Sequence, residues 1–400
     1  MTDTRIVRIW AREVLDSRGN PTVEAEVRTG SATASGIAPS GASTGTYEAL
    51  ELRDGGPRFG GKGVSKAVEN IRKIIGPRLE GMDVTCQKDL DKAMIELDGT
   101  KNKSRLGGNA ITAVSLACAR AGSVCTDIPL HEYLRKGSTI LPVPMMNIIN
   151  GGKHAGSNLR IQEFMIVPAG AKSFAEAYRI GSEVYQTLRG ILKNTYGIGA
   201  INVGDEGGFA PPIDTTREAL DAIEKAISTA GYGPGKDVFM ALDSAASEFY
   251  SDRRYEVDGK KLSAEDLIDF YEGLASAYPI VSYEDPLEED SFSEAALMTK
   301  RLGDRVQIVG DDLFVTNVER VRKGVGIGAT NAMLLKVNQV GTVTESFEAA
   351  DFCFESGYGV VVSHRSGETE DTSISDIAVA LGCGQIKSGA PARTERTAKY

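Results

Sequence analysis

Three carboxylates set the rhythm of the second half of the chain. The apolar run VFMAL ends at Asp243, PIVSY at Glu284 and VQIVG at Asp311, with gaps of 41 (284 − 243) and 27 (311 − 284) residues. Continuous apolar runs of this length, separated by helical stretches, read as buried parallel strands. The same rhythm then delivers bases: AMLL ends at Lys336, GVVVS at His364 and Arg365, and GQI at Lys387. If the strands close into an α/β barrel, their C-terminal ends meet on one face, where active sites of that architecture sit. One acid at a strand end is ordinary, because strands end in water; three in succession followed by three bases are not. Converging carboxylates repel unless a cation sits among them, and an all-oxygen set suits a hard ion such as Mg²⁺. The expected site has a metal-binding half facing an electropositive half, which suits an anionic, metal-chelating substrate. Lys336 emerges from the core at the acidic mouth and is a candidate base if burial and nearby dications lower its pKa.

Glycine-rich loops supply further candidates. SGASTG (residues 40–45) can close over a ligand and offer the hydroxyl of Ser43 or Thr44 to a second metal or a phosphate. GGKHAG (151–156) and QEF (162–164) place His154 and Glu163 in loops at the expected barrel mouth. GDEGG (204–208) leaves Asp205 and Glu206 between glycines that permit close backbone approach, though a plain turn has the same composition. SHRSGET sets Arg365 beside Ser366, a pair suited to phosphate.

These residues need elements to carry them. Residues 5–40 read as three strands, with period-two alternation in TVEAEV and a turn at DSRGNPT. Helical spacing follows over 65–80, 83–97 and 109–136, so the first part is an α+β cap domain. The pattern changes near Leu141 to Pro144. The expected organisation is a cap at 1–138 and an eight-stranded, TIM-like α/β barrel at 139–400 that carries the metal and catalytic residues. An amphipathic helix runs from Ser173 to about Lys193, and helix starts are marked by the pairs Thr215/Glu218, Ser263/Asp266, Ser291/Glu294 and Thr342/Glu345. The closing ARTERTAKY reads as a helix that begins without reaching a C-cap, which leaves the domain short at its end.

Composition narrows the class. With 41% hydrophobic and 25% charged residues among 400, there is material for a large core, and a net charge of −10 argues against nucleic acid as the main partner. Five cysteines without a C-x-x-C pair read as buried, reduced thiols of a cytoplasmic protein. The opening MTDTRIVRIW lacks a signal-peptide core, and no stretch is apolar for long enough to span a membrane.

The motifs SGASTG, NGGKHAG, QEFM, NVGDEGG, ALDSAASEF, YEDP, GDDL, LLKVNQ, SHRSGETED and GQIKSGAPAR occur in the order found in the enolase family. The resemblance covers nearly the whole chain, from DSRGNPT to ARTERTAKY. It implies an α+β cap on a barrel whose second strand is antiparallel, and the glycolytic and gluconeogenic conversion of 2-phosphoglycerate to phosphoenolpyruvate and water. It further implies two Mg²⁺ ions and a homodimer or homo-octamer. By the same resemblance Asp243, Glu284 and Asp311 hold the first metal, and Ser43 with the substrate phosphate holds the second. Lys336 is the base at C2 and Glu206 the acid at the C3 hydroxyl, with Glu163 beside it. His154 closes on the substrate, Arg365 and Ser366 take the phosphate, and Lys387 takes the carboxylate; His364 is left without a role. Family members usually carry a further segment after the final AKY. Rival readings are an acid-sugar dehydratase or racemase of the same superfamily, or a non-catalytic binding homologue. The K-x-K pattern of the former occurs only at Lys101-Asn102-Lys103 in the cap, and the SGASTG loop is foreign to it.

Overall fold

Strand-forming sequence comes first and is used first. The computed structural model describes residues 3–42, 45–152 and 159–400, so Ser43, Thr44 and His154 lie outside the described residues. Strands β1 (Ile6–Leu15), β2 (Pro21–Thr29) and β3 (Thr33–Ile37) form an antiparallel meander. The alternation in β2 buries Val23, Ala25 and Val27, which share a core with the helix Gly108–Thr126. In the β1–β2 turn Oδ1 of Asp16 accepts the amides of Arg18 and Asn20, both at 2.9 Å, while Gly19 adopts φ +75°.

The expected helices are present with three corrections. The first is continuous from Ser65–Asn70 to Gly76–Leu79, but through a π turn at Ile71–Ile75. The second begins at Gln87 instead of residue 83 and runs to Asp98. The third breaks into Gly108–Thr126 and Leu130–Leu134, because Asp127 turns left-handed at φ +53° and Pro129 drives the residue before it out of the helix.

The barrel strands are β4 (Val143–Asn150), β5 (Glu163–Val167), β6 (Phe239–Asp243), β10 (Ile280–Glu284), β11 (Gln307–Gly310), β12 (Ala332–Leu335), β13 (Gly359–Ser363) and β14 (Gln385–Lys387). They close in the order β10-β11-β12-β13-β14-β4-β5-β6, and β5 is antiparallel to both neighbours while every other pairing is parallel. Met145, Met165, Ala241, Val309, Leu334 and Val361 fill the interior, so the barrel is a packed core with its chemistry at the rim. The 41-residue gap exceeds the 27-residue one because a small sheet of β7 (Tyr250–Ser251), β8 (Arg254–Val257) and β9 (Lys260–Leu262) is inserted before the helix Ala264–Ala277.

Of the four expected helix starts, Thr215, Ser263 and Thr342 accept the amide three residues on, and Ser263 with Asp266 forms the full reciprocal box. Ser291 makes no such bond, since its ψ of 53° departs from the extended backbone the other three share. Ser173 caps Phe174–Tyr196 through Glu176. Of the cysteines, Cys118, Cys125 and Cys353 are buried; Cys86 is exposed, contrary to expectation, because it sits at the start of a helix facing solvent. Among the described residues no helix is long and apolar enough to cross a membrane.

The cap grips the barrel just beyond Lys336. Buried Asp91 accepts the amide of Thr344 at 3.0 Å and its hydroxyl at 2.6 Å, at the N-terminus of the helix Val343–Glu355. Ser115 accepts the amide of Val343 at 3.0 Å, Thr112 donates to the Gly341 carbonyl at 3.0 Å, and Lys103 pairs with Glu345 at 2.8 Å.

Candidate active site

Strand ends decide where the acids go. Asp243 closes β6, Glu284 closes β10 and Asp311 follows β11, three neighbouring strands whose C-termini reach the same rim. Because β5 runs the other way, its first residue, Glu163, arrives at that rim too, in register with Asp243. Glu163 therefore opens a strand instead of lying in a loop. Glu206 sits in a turn whose neighbour Phe209 bridges to Ile149 of β4. Glu163, Glu206, Asp243, Asp311, Lys336, His364, Arg365, Ser366 and Lys387 all line one cavity.

The site is not split into an acidic and a basic half. Closing the barrel brings Lys387, on the last strand, to 2.8 Å from Asp243, 2.8 Å from Glu284 and 3.1 Å from Glu163. Lys336 pairs with Asp311, which also accepts from Gln339 at 2.8 Å. Arg365 grips Glu48 of the cap with both terminal nitrogens, at 2.9 and 3.1 Å, and reaches Asn338 at 3.1 Å. Ser366 accepts the amide of Ala42, bringing the loop that precedes Ser43 to the phosphate-clamp candidates.

Burial and company set the protonation states. Burial opposes the charge on Lys336, but Asp311 outweighs it and the ammonium is held above its ordinary range. Burial also opposes charge on Lys387, and Asp243, Glu163 and Glu284 together raise it well above the usual value. Burial, then the charge of Asp243, pushes Glu284 well up, and burial, then Glu206, does the same to Glu163.

Among the described residues, Oε1 of Glu284 is buried without a hydrogen-bond partner. An orphaned carboxylate oxygen, beside more acids than lysines and with only oxygen donors on offer, fits a hard divalent ion. Asp243, Glu284 and Asp311 are not the most tightly gathered group, however. Among the described residues, ligand atoms lie mutually within 4.8 Å in Asp285/Asp311/Asp312 and in Glu163/Glu206/His364. Asp285 is occupied in holding the turn, accepting the amides of Asp311 at 2.8 Å and Asp312 at 2.7 Å.

Glu48, Asp285, Gln339 and Arg396 were not read from the sequence. Asp285 had one available signal, its place beside Glu284 in YEDP; its φ of +39° shows the chain turning sharply as it leaves the strand. The others are partners supplied by remote segments, and nothing local marks them.

Fold and site together define a capped α/β-barrel enzyme whose acids, lysines and arginine meet at the C-terminal mouth. A family model for the enolase N-terminal domain matches residues 6–134, and one for the enolase C-terminal TIM barrel domain matches 138–400. The chain is 61% identical to the enolase of Methanocaldococcus jannaschii, over 98% of this chain and 92% of that one. It is 60% identical to the enolase of Methanopyrus kandleri (99% and 94% covered) and 58% to that of Thermococcus gammatolerans (99% and 93%). The chain belongs to the enolase family. It is an enzyme, a lyase with phosphopyruvate hydratase activity and a small-molecule substrate, and its reaction belongs to glycolysis.

Proposed function

We propose that the residues at the barrel mouth divide the dehydration of 2-phospho-D-glycerate to phosphoenolpyruvate as follows. Lys336 removes the C2 proton and Glu206, with Glu163 beside it, protonates the departing C3 hydroxyl. The observation that carries this is the position of the two groups on the ring of strands. Lys336 follows β12, Glu206 lies next to Glu163 on β5, and those strands stand four places apart in a closed ring of eight, so base and acid flank a bound substrate from opposite sides.

Lys336 holds its proton because Asp311 faces it. Whatever engages the Asp311 carboxylate removes that support and leaves burial to push the amine toward its neutral, basic form. Asp243, Glu284 and Asp311 would hold one Mg²⁺, and Ser43, with the substrate phosphate, a second. Divalent ions supply the positive charge that a carboxylate needs when its neighbouring carbon is deprotonated; the handling of that charge by a Lys base and Mg²⁺ is the general pattern of the superfamily. Lys387, fixed by three acids, presents a permanent cation to the substrate carboxylate. Glu48 fixes the plane of Arg365, which with Ser366 receives the phosphate. His154, in the GGKHAG motif, contributes a contact to the substrate. The cap occupies 1–138 and the barrel 139–400, and the chain works in the cytoplasm as a homodimer or homo-octamer.

Phosphoenolpyruvate formation, followed by its ultraviolet absorbance with 2-phosphoglycerate and Mg²⁺, tests the reading. A rise that requires the metal is expected. No rise, with turnover of an acid sugar instead, would point to the sister dehydratases.

A further inference from the structure

The division of labour above leaves one buried ring at the site without a task. His364 follows β13 and is 2% exposed. Nη1 of Arg396 lies 2.5 Å from its Nδ1. A guanidinium only donates, so Nδ1 must accept, and a neutral ring bonded in that way carries its proton on Nε2. Nε2 stands 4.0 Å from Oε1 of Glu206. Arg396 is fully buried and comes from the short helix Thr394–Thr397. Its other hydrogen bonds among the described residues go to backbone carbonyls, Nη1 to Arg365 at 2.6 Å, and Nη2 to Ser366 at 2.7 Å and Asp205 at 3.0 Å, and its Nε pairs with Glu395 at 3.6 Å. A single cation therefore joins the residue before Glu206 to the segment that carries His364, Arg365 and Ser366.

We propose that Arg396 is a positioning residue that locks His364 in the neutral Nε2–H tautomer, so that the ring presents a donor, never a lone pair, toward Glu206. The charged groups around the ring agree. Arg396, Lys387 and Lys336 oppose an imidazolium and Glu206 favours one; burial, then Arg396, holds the ring well below the ordinary histidine range. The lock has a second consequence. With its Nε2 lone pair replaced by a proton, His364 is no metal ligand on the Glu206 side, which leaves the Glu163/Glu206/His364 group to acid chemistry.

The inference rests on Glu206 being the acid, but its first test does not. The chain has three histidines, so ¹⁵N-histidine labelling of the full-length protein gives few rings, and the one lost in His364→Gln is assigned. A protonated Nε2 and bare Nδ1, unchanged through neutral pH, are expected; an Nδ1–H ring or an imidazolium in the unmodified protein overturns the proposal. Arg396→Met is expected to abolish that signature and slow dehydration about a hundredfold while C2 proton exchange changes less than about threefold. Arg396→Lys, which keeps a donor-only cation, should retain the signature and recover most of the rate. A folded Arg396→Met that keeps the Nε2–H ring, or equal loss of exchange and dehydration, defeats the proposal. If Arg396→Met does not fold, the unmodified and Arg396→Lys spectra still decide it. Failure of the acid assignment would show separately, as full dehydration by Glu206→Gln.

Discussion

Lys336 and Lys387 reach the same cavity from the ends of two barrel strands and differ in their company. Lys387 is 2% exposed in its side chain and touches three carboxylates; Lys336 is 13% exposed and, among the described residues, has Asp311 as its one ion-pair partner. Burial alone would discharge either amine. Three acids make the charge of Lys387 a fixture of the fold. The charge of Lys336 rests chiefly on Asp311, with a smaller contribution from Glu284, and both are candidate metal ligands, so its proton is conditional. On the proposed roles, base and anchor are the same residue type in one cavity, distinguished by how many acids each pairs with.

Removing each lysine should break the comparison in different currencies. Lys336→Ala should cut C2 proton exchange, read by deuterium loss in NMR, by about 10⁴-fold with the fold intact. Exchange persisting near the native rate would end its role as base. Lys387→Met leaves buried acids without their cation and should cost about 3–5 kcal/mol in urea unfolding; a change under about 1 kcal/mol would mean the acids are satisfied otherwise. Glu206→Gln sharpens the contrast across the ring of strands: dehydration should fall about 10²–10⁴-fold while C2 exchange continues, and equal loss of both would remove it as acid. Ser43→Ala should raise the Mg²⁺ needed for half activity about tenfold, and an unchanged metal titration would take Ser43 out of the site.

The smallest effect lies at the grip beyond Lys336. Burial pushes the Asp91 carboxyl above its ordinary range, only partly offset by its hydrogen bonds from Thr344, Ser115 and Gln87. A carboxyl with a raised folded pKa contributes stability fully present below the unfolded value, about 3.9, and lost as pH climbs through the folded one. Thermal unfolding from pH 4 upward should show that decline, and Asp91→Asn should flatten it at a cost of about 1–3 kcal/mol. An unaltered pH profile in Asp91→Asn would mean the decline arises elsewhere.

The strand rhythm, the short apolar runs and the polar residue closing each were legible because they are local: a strand buried on both faces must be apolar until it reaches the rim. That fixed β6, β10, β11, β12, β13 and β14, and with them Asp243, Glu284, Asp311, Lys336 and Lys387. Ser173 and Thr215 announced their helices because an N-cap needs only an oxygen and an amide three residues on. Where local chemistry permits two backbones, as at Ser291 or Ile71–Ile75, the sequence pattern does not choose between them. What the chain order could not contain is which ends meet. Acids first and bases last suggested two opposed halves, but a closed ring sets β14 beside β4 and lets Lys387 reach Glu163, Asp243 and Glu284. The reversed β5 carries Glu163 to the mouth for the same reason. Glu48 under Arg365, Asp285 under the Asp311 turn and Arg396 behind His364 come from remote segments brought together only by closure, and it is they that decide how the legible residues are charged and aimed.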